Sequence, residues 1–351
     1  YTAPGHASIY TGTTPENHGI IGNSWFDKKA KKYTYCTVDT SVLTIGSGSK
    51  NGLMSPKNLI ATTITDELKL ATNFKGKVIA VSLKDRGAIL PGGHKADGAY
   101  WYDGGNEGKW ITSTYYMDEM PKWVQNVNTK NTANKYLGED WNTLLPIAEY
   151  TESIDDDNHY EGNFTGEEKP TFPHNLPLLR DSNDNYSLIK ATPFGNTIVK
   201  EMAIEAIKGE QLGKDDVTDF LAISFSSTDY VGHQYGPMSV EIEDTYLRLD
   251  RELAELLKQI ESVADNDEVL IFLTADHGVV NVPQYLIDNN MPAGYFKMKE
   301  VAEELNEKCK NQFGVDSLIT NISNYQVFLN YNQIEGNKLN QIEIENTLSS
   351  W

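Results

Sequence analysis

The stretch Phe220-Leu221-Ala222-Ile223-Ser224-Phe225-Ser226-Ser227 is a short, mostly apolar run that ends in Thr228-Asp229, with His233 four residues beyond the aspartate. A continuous apolar run of this length suits a strand covered on both faces, as in a parallel sheet, better than the alternating pattern of a half-solvated strand. Two further segments repeat the arrangement. Val78-Ile79-Ala80-Val81-Ser82-Leu83 runs into Lys84-Asp85-Arg86-Gly87, and Val269-Leu270-Ile271-Phe272-Leu273-Thr274-Ala275 runs into Asp276-His277-Gly278. Open α/β sheets bind ligands beyond the carboxyl ends of their strands, and each of the three runs delivers charged or metal-binding residues there. Helical patterns precede them, at 59–70, at 197–207 with Ile198, Met202 and Ala206, and at 240–260 with Leu247, Leu249, Leu253, Leu256 and Leu257 among charged residues. This order predicts an α/β fold, a mostly parallel sheet flanked by helices. The run 325–331 predicts one more strand.

Residues 95–195 read differently. They are rich in Gly, Asn, Asp, Tyr and Trp and poor in long apolar runs, which predicts an inserted cap between two parts of an α/β core, 1–94 and 196–351. Length alone, 351 residues, suggests about two domains. A hydrophobic fraction of 39% with 10% aromatics excludes wholesale disorder despite a net charge of −20. That charge argues against nucleic acid as a main partner, since phosphate backbones call for Lys/Arg surfaces. Two cysteines, Cys36 and Cys309, exclude a disulfide framework and a cysteine-rich zinc module. No apolar run reaches the ~18 residues of a membrane helix. No signal peptide is visible, and the first residue is Tyr1 rather than Met, so an upstream segment is expected to have been removed.

Asp229-x-x-x-His233 and Asp276-His277 combine carboxylate with imidazole, a donor set that suits zinc. Either pair alone reads equally well as a helix cap beside a hydrogen-bonded histidine; two pairs, each after a predicted core strand, point to metal. Four ligands cannot fill two tetrahedral sites. In Thr2-Ala3-Pro4-Gly5-His6, Thr2 has the form of a helix N-cap followed by an early-turn proline. A helix N-terminus attracts anions, and a hydroxyl placed there can attack a phosphoryl group. His6 reads as a packing or hydrogen-bonding residue of that helix. Lys84 and Arg86 read, by themselves, as a solvated strand end.

Taken together, Thr2-Ala-Pro-Gly-His6, Tyr10-Thr-Gly-Thr-Thr-Pro-Glu-Asn-His-Gly-Ile-Ile-Gly-Asn23, Ser227-Thr-Asp229-Tyr-Val-Gly-His233 and Thr274-Ala-Asp276-His277-Gly278 resemble the alkaline phosphatase superfamily. Within it they are most similar to the type I phosphodiesterase/nucleotide pyrophosphatase family and its phosphate-irrepressible alkaline phosphatases with a threonine nucleophile. The resemblance covers roughly 1–94 and 196–351. It implies an alkaline-phosphatase-like fold and hydrolysis of small phosphate monoesters through a phosphothreonine intermediate at two Zn2+ ions. By the same resemblance Thr2 is the nucleophile and binds one zinc with Asp276 and His277, while Asp229 and His233 bind the other. Asn23 would hydrogen-bond a phosphoryl oxygen, and Lys84 and Arg86 would hold the remaining ones, the pattern of the monoesterases. It also implies export, to the periplasm or outside the cell.

Elementary chemistry agrees with these roles. A neutral threonine is a poor nucleophile and no Ser/His/Asp triad is evident, whereas zinc lowers the pKa of bound water from 15.7 to about 7 and can replace a general base. A monoester dianion carries a charged oxygen that a diester has esterified, so two added cations favour it. The chain also departs from the family. The family's first strand ends in an aspartate that binds the zinc of the nucleophile, and here the nucleophile is residue 2. The family supplies a late histidine to the other zinc, and none of the seven histidines here lies beyond His277. Each metal site is therefore expected to be one ligand short, as in a fragment cut at both ends. The alternative expectations are a phosphodiesterase or nucleotide pyrophosphatase with the same two-metal site, and a metal-poor relative that binds phosphate without catalysis.

Overall fold

The computed structural model describes residues 1–264 and 268–350. It divides into two compact units, residues 1–23 with 36–285, and residues 24–35 with 286–351.

The first unit is built on a five-stranded sheet: β1 (Thr44–Ile45), β2 (Val78–Ser82), β3 (Gly98–Asp103), β4 (Lys109–Ser113) and β5 (Phe220–Ser224), in the order β1-β4-β3-β2-β5. β2 runs parallel to both β3 and β5, and the antiparallel pairings β3–β4 and β1–β4 complete one side. The six helices that matter here are α1 (Thr2–Thr11), α2 (Ile64–Ala71), α3 (Asp85–Gly92), α4 (Phe194–Glu210), α5 (Ser227–Tyr235) and α6 (Val240–Glu261). The sequence expectation of an α/β sheet flanked by helices is met, with β3 and β4 of the 95–195 segment lying inside the sheet.

β2 shows why its run is apolar throughout. Ile79 and Val81 belong to one core cluster with Ile198, Val199, Met202 and Ala206 of α4. Ala80, on the opposite face, packs with Ala88 and Ile89 of α3. All three β2 residues are at most 1% exposed. Each buried Ile or Val is worth on the order of 1.5–3 kcal/mol, which holds α3 and α4 on opposite faces of the strand. α2 starts at Ile64 rather than at 59, because Thr63 and Asp66 form a reciprocal capping box there.

The expectation for 269–275 is not met. These residues form no strand, and Leu270 and Leu273 are 89% and 77% exposed. Within the described sheet β5 pairs on one side only, with β2. Apolarity makes a strand only where a neighbour takes up its N–H and C=O groups and a layer covers its side chains. Neither condition holds for this run; Phe272 reaches Phe220 at a ring-centroid distance of 6.4 Å.

The second unit contains two antiparallel hairpins, Ser24–Asp27 with Lys32–Tyr35 and Ile319–Ser323 with Gln326–Leu329. The second of these holds the strand expected at 325–331. A helix, Met298–Phe313, packs Cys309 against Leu318, Ile334 and Ile344. Cys36 and Cys309 are both free thiols and buried. No described helix is long and apolar enough to cross a membrane.

Candidate active site

Register decides what meets at the sheet edge. Ser82 pairs with Ser224 at the carboxyl ends of β2 and β5. Lys84 and Arg86 follow the first strand, at the start of α3, and Asp229 and His233 follow the second, on α5. Asp229 and His233 are four apart on a helix and so share a face; Asp229 Oδ1 is 3.5 Å from His233 Nε2. The same oxygen is 3.5 Å from His277 Nε2, and Asp276 Oδ2 is 3.4 Å from that nitrogen. His277 Nδ1 lies 2.9 Å from the Gly278 carbonyl. With Nδ1 donating its proton there, Nε2 is the nitrogen left to ligate a metal.

Thr2 enters from α1. It was expected as the N-cap, but the cap is Tyr1, whose carbonyl accepts the first helical bond, from Gly5 N–H. Thr2 is the first helical residue, so its hydroxyl is not spent on capping. Its Oγ1 lies 3.5 Å from His277 Nε2, and the residue is 4% exposed. Asn23 Oδ1 accepts the N–H of Ala3 at 2.8 Å. That satisfies one of the open N–H groups of the first turn, and it fixes the amide so that Nδ2 is the end left to donate.

Lys84 is 4% exposed. Its ammonium ion-pairs with Asp229 and sits 4.7 Å over the ring of Tyr230. Burial pulls the Lys84 pKa down from its ordinary value, with Asp229 opposing. Burial alone would raise Asp229, but the Lys84 ammonium outweighs it and holds the carboxylate below its usual range. Arg86 is half-buried and close enough for its charge to act on Lys84 and Tyr230. Between them Asp85 accepts a hydrogen bond from Thr37 Oγ1, which anchors the first turn of α3. All eight site residues proposed from sequence thus belong to one unit. Seven of them are linked there by the contacts above or through Ala3, and the charge of Arg86 acts on Lys84 in the same place.

Two participants were not legible beforehand. Tyr230 meets Lys84 across 146 residues of chain, and only its place beside Asp229 hinted at it. Gly5 is where α1 and the Asp276 backbone touch: a Cβ there would stand 2.1 Å from the Asp276 carbonyl oxygen. His6 was read as packing, and it does pack, with Nε2 3.5 Å from Ser224 Oγ and 3.9 Å from Asp276 Oδ2. Burial pushes its pKa down to about 4, so at neutral pH it is an uncharged neighbour of Asp276.

The family profile of type I phosphodiesterase / nucleotide pyrophosphatase matches residues 1–335. The chain belongs to this family. Among similar proteins, alkaline phosphatase PhoV of Synechococcus elongatus is 51% identical over 327 residues, which are 93% of this chain and 58% of PhoV. A Myroides odoratus protein named calcium-transporting ATPase is 49% identical over 346 residues, 98% of this chain and 63% of that one. The crystal structure of wild-type alkaline phosphatase PafA aligns with a TM-score of 0.93 at 46% identity, over 98% of this chain and 66% of PafA. The chain therefore spans between 58% and 66% of the length of these relatives.

The phosphodiesterase-family resemblance implies zinc, and the donor set can be tested for it. Donors about 2.0–2.1 Å from a tetrahedral zinc stand roughly 3.3 Å from one another. Thr2 Oγ1 and Asp276 Oδ2, the oxygens assigned to the same zinc as His277, stand 3.5 and 3.4 Å from His277 Nε2. Donor type and spacing fit zinc. Ligand number falls short: among the described residues no three His, Cys, Asp or Glu side chains are arranged to hold a metal ion.

Proposed function

We propose that this chain carries the catalytic centre of a metal-dependent alkaline phosphatase, a hydrolase of phosphate monoesters that works through a phosphothreonine at Thr2. The observation that carries the reading is the position of the Thr2 hydroxyl: at the first turn of α1, buried, and 3.5 Å from His277 Nε2 in a cluster that includes Asp229 and Asp276. Likeness to PafA and PhoV supports it.

In this reading Thr2, Asp276 and His277 would hold one zinc and Asp229 and His233 the other. Bound there, the metals would supply Lewis acidity, favouring the ionised hydroxyl and offsetting charge on the leaving oxygen. The chain's own residues do the rest. Asn23 Nδ2, Lys84 and Arg86 bind the non-bridging phosphoryl oxygens and orient phosphorus toward Thr2 Oγ1. Oγ1 forms a bond to phosphorus as the ester P–O bond breaks; the hydroxyl proton is lost and the alcohol leaves with one proton in its place. Water then attacks the phosphothreonine, releasing inorganic phosphate and restoring the Thr2 hydroxyl. Lys84 and Arg86 add two positive charges to the phosphoryl pocket, which favours a monoester dianion over a diester monoanion.

Thr2→Ala should abolish release of phosphate from an aryl phosphate at alkaline pH; unchanged turnover overturns the proposal. The family also includes phosphodiesterases, so the ratio of monoester to diester rates decides substrate class. Lys84→Ala and Arg86→Ala should lower the monoester rate more than the diester rate. Metal analysis separates either enzyme from a non-catalytic phosphate binder, which would carry less than one zinc per chain. Export to the periplasm or medium belongs to the same reading, and cell fractionation tests it.

A further inference from the structure

The ammonium of Lys84 has partners of two different kinds. One is Asp229, whose Oδ2 takes the ion pair while its Oδ1 faces His233 and His277, each at 3.5 Å. The other is the ring of Tyr230, whose centroid lies 4.7 Å from the ammonium. The backbones behind both side chains are tied down. The Lys84 N–H donates to Ser82 Oγ at 3.1 Å, and Ser82 Oγ lies 3.1 Å from the hydroxyl of Ser226, the residue before α5. Asn196 Oδ1 accepts the Ser227 N–H at 3.0 Å, and the Tyr230 N–H bonds the Ser226 carbonyl at 3.2 Å. Lysine and tyrosine thus stand on two elements that the ends of β2 and β5 bring together.

The two partners do different things to the charge. An ion pair with a carboxylate has no net charge, so little of the lysine's field is left for a substrate. An aromatic ring is neutral: the negative face of its quadrupole attracts a cation and subtracts nothing from it. The Lys84 side chain is 3% exposed, so water does little to hold the ammonium. Desolvation is the setting in which a cation–ring contact is strongest. Asp229 is also the partner with a competing assignment, to a metal. Charge that Asp229 shares with a metal is withdrawn from Lys84, whereas the ring keeps its hold.

We propose that Tyr230 is a positioning residue of the phosphoryl pocket: its ring face carries the Lys84 ammonium without neutralising it, which leaves the positive charge for the dianion of a phosphate monoester. The inference rests on the reading of Lys84 as a phosphoryl ligand. It makes Tyr230 a determinant of monoester over diester preference that acts through Lys84 rather than through its own hydroxyl. Leucine at this position fills similar space and has no quadrupole; phenylalanine keeps the ring face and loses only the hydroxyl.

The test compares Tyr230→Leu and Tyr230→Phe, each in the wild-type and the Lys84→Ala background, in intact, Zn2+-saturated protein. Rates on an aryl monoester and a diester are one readout, and calorimetric affinity for inorganic phosphate is the other. Tyr230→Leu should lower monoester kcat/KM and phosphate affinity about tenfold, and the diester rate by much less. Tyr230→Phe should recover most of that loss. In the Lys84→Ala background Tyr230→Leu should cost nothing further. Near-UV circular dichroism checks folding. If Tyr230→Leu does not fold, phenylalanine with increasing ring fluorination weakens the quadrupole at nearly constant size, and phosphate affinity should fall along that series; a flat series overturns the proposal. So do equal losses in the leucine and phenylalanine variants, equal losses on monoester and diester, or an undiminished loss in the Lys84→Ala background. Phosphate affinity is read without turnover, which separates the ring from the Thr2 assignment. Active Thr2→Ala with phosphate binding weakened by Tyr230→Leu refutes the nucleophile and keeps the ring; inactive Thr2→Ala with phosphate binding unchanged in Tyr230→Leu does the reverse.

Discussion

Raising the pH should unfasten His174. The imidazole is fully buried and ringed by aromatics, with Trp141, Phe172 and Tyr235 at centroid distances of 4.9, 4.8 and 5.2 Å. A neutral imidazole donates from one nitrogen only, yet both nitrogens face carboxylates, Glu167 at 2.6 Å and Glu241 at 3.2 Å. Both bonds require the imidazolium. Burial pulls its pKa down, but the two carboxylates overcome this and raise it from 6.5 to about 9. The folded value lies above the unfolded one. The stabilisation is therefore complete below pH 6.5, declines as the pH rises, and is gone beyond about 9. The difference of roughly 2.5 units corresponds to about 3 kcal/mol at 1.36 kcal/mol per unit. Glu161, raised to about 8, drifts in the same direction between its ordinary range and 8, so the histidine must be isolated by difference. Urea midpoints of metal-free wild type and His174→Gln, measured from pH 6 to 10, provide that difference. The wild-type advantage should be largest near pH 6 and shrink by about 3 kcal/mol at pH 10. The His174 Cε1 resonance should titrate near 9. A pH-independent difference, or titration near 6.5, refutes the double-carboxylate argument.

Three further outcomes follow from the geometry. Asn23→Ala removes the acceptor for the Ala3 N–H at 2.8 Å; it should destabilise the protein by about 1 kcal/mol in urea unfolding and lower monoester turnover about tenfold or more. Gly5→Ala would set a Cβ 2.1 Å from the Asp276 carbonyl oxygen; it should displace the 276–277 backbone and weaken zinc retention on dialysis, whereas Gly48→Ala, with open space around it, should leave zinc in place. Trp141→Phe deletes the indole N–H that Asp244 accepts at 2.7 Å in the core; the loss should be about 1.5–3 kcal/mol by chemical denaturation, since the acceptor is charged and buried.

The parts of the fold visible in the sequence are those whose burial is two-sided and local. Val78–Val81 is apolar throughout because α3 and α4 cover it from both faces, and that pattern is readable without coordinates. The 269–275 run is equally apolar and yet forms no strand, because pairing requires a neighbour and the run itself does not name one. Thr2 was displaced by one position from its expected place since threonine before an early proline has the composition of a cap, whereas the true cap, Tyr1, makes no side-chain bond that composition could reveal. The Asp229/His233 spacing was legible as a pair because four residues is one helical turn. What was not legible is contact across distance, such as Lys84 on Tyr230 or His174 between Glu167 and Glu241, where no local periodicity links the partners.

Register is the step at which distant residues become one site. Thr2 and His277 are 275 residues apart, and Lys84 and Asp229 are 145 apart. They meet because β2 and β5 are parallel neighbours that end level, Ser82 opposite Ser224, and because α1 can lie against the Asp276 backbone at Gly5. A slip of one residue in either strand would turn every side chain to the other face. It would put Ile79 and Val81 where Ala80 packs on α3, and carry Lys84 away from Asp229. The large residues of β2 face α4 and the small alanine faces α3, so the core resists that slip at several positions at once. An acidic chain of net charge −20 thus brings a buried ammonium and a guanidinium to one point, and the arrangement that would bind a phosphate dianion is fixed by the packing of the sheet beneath it.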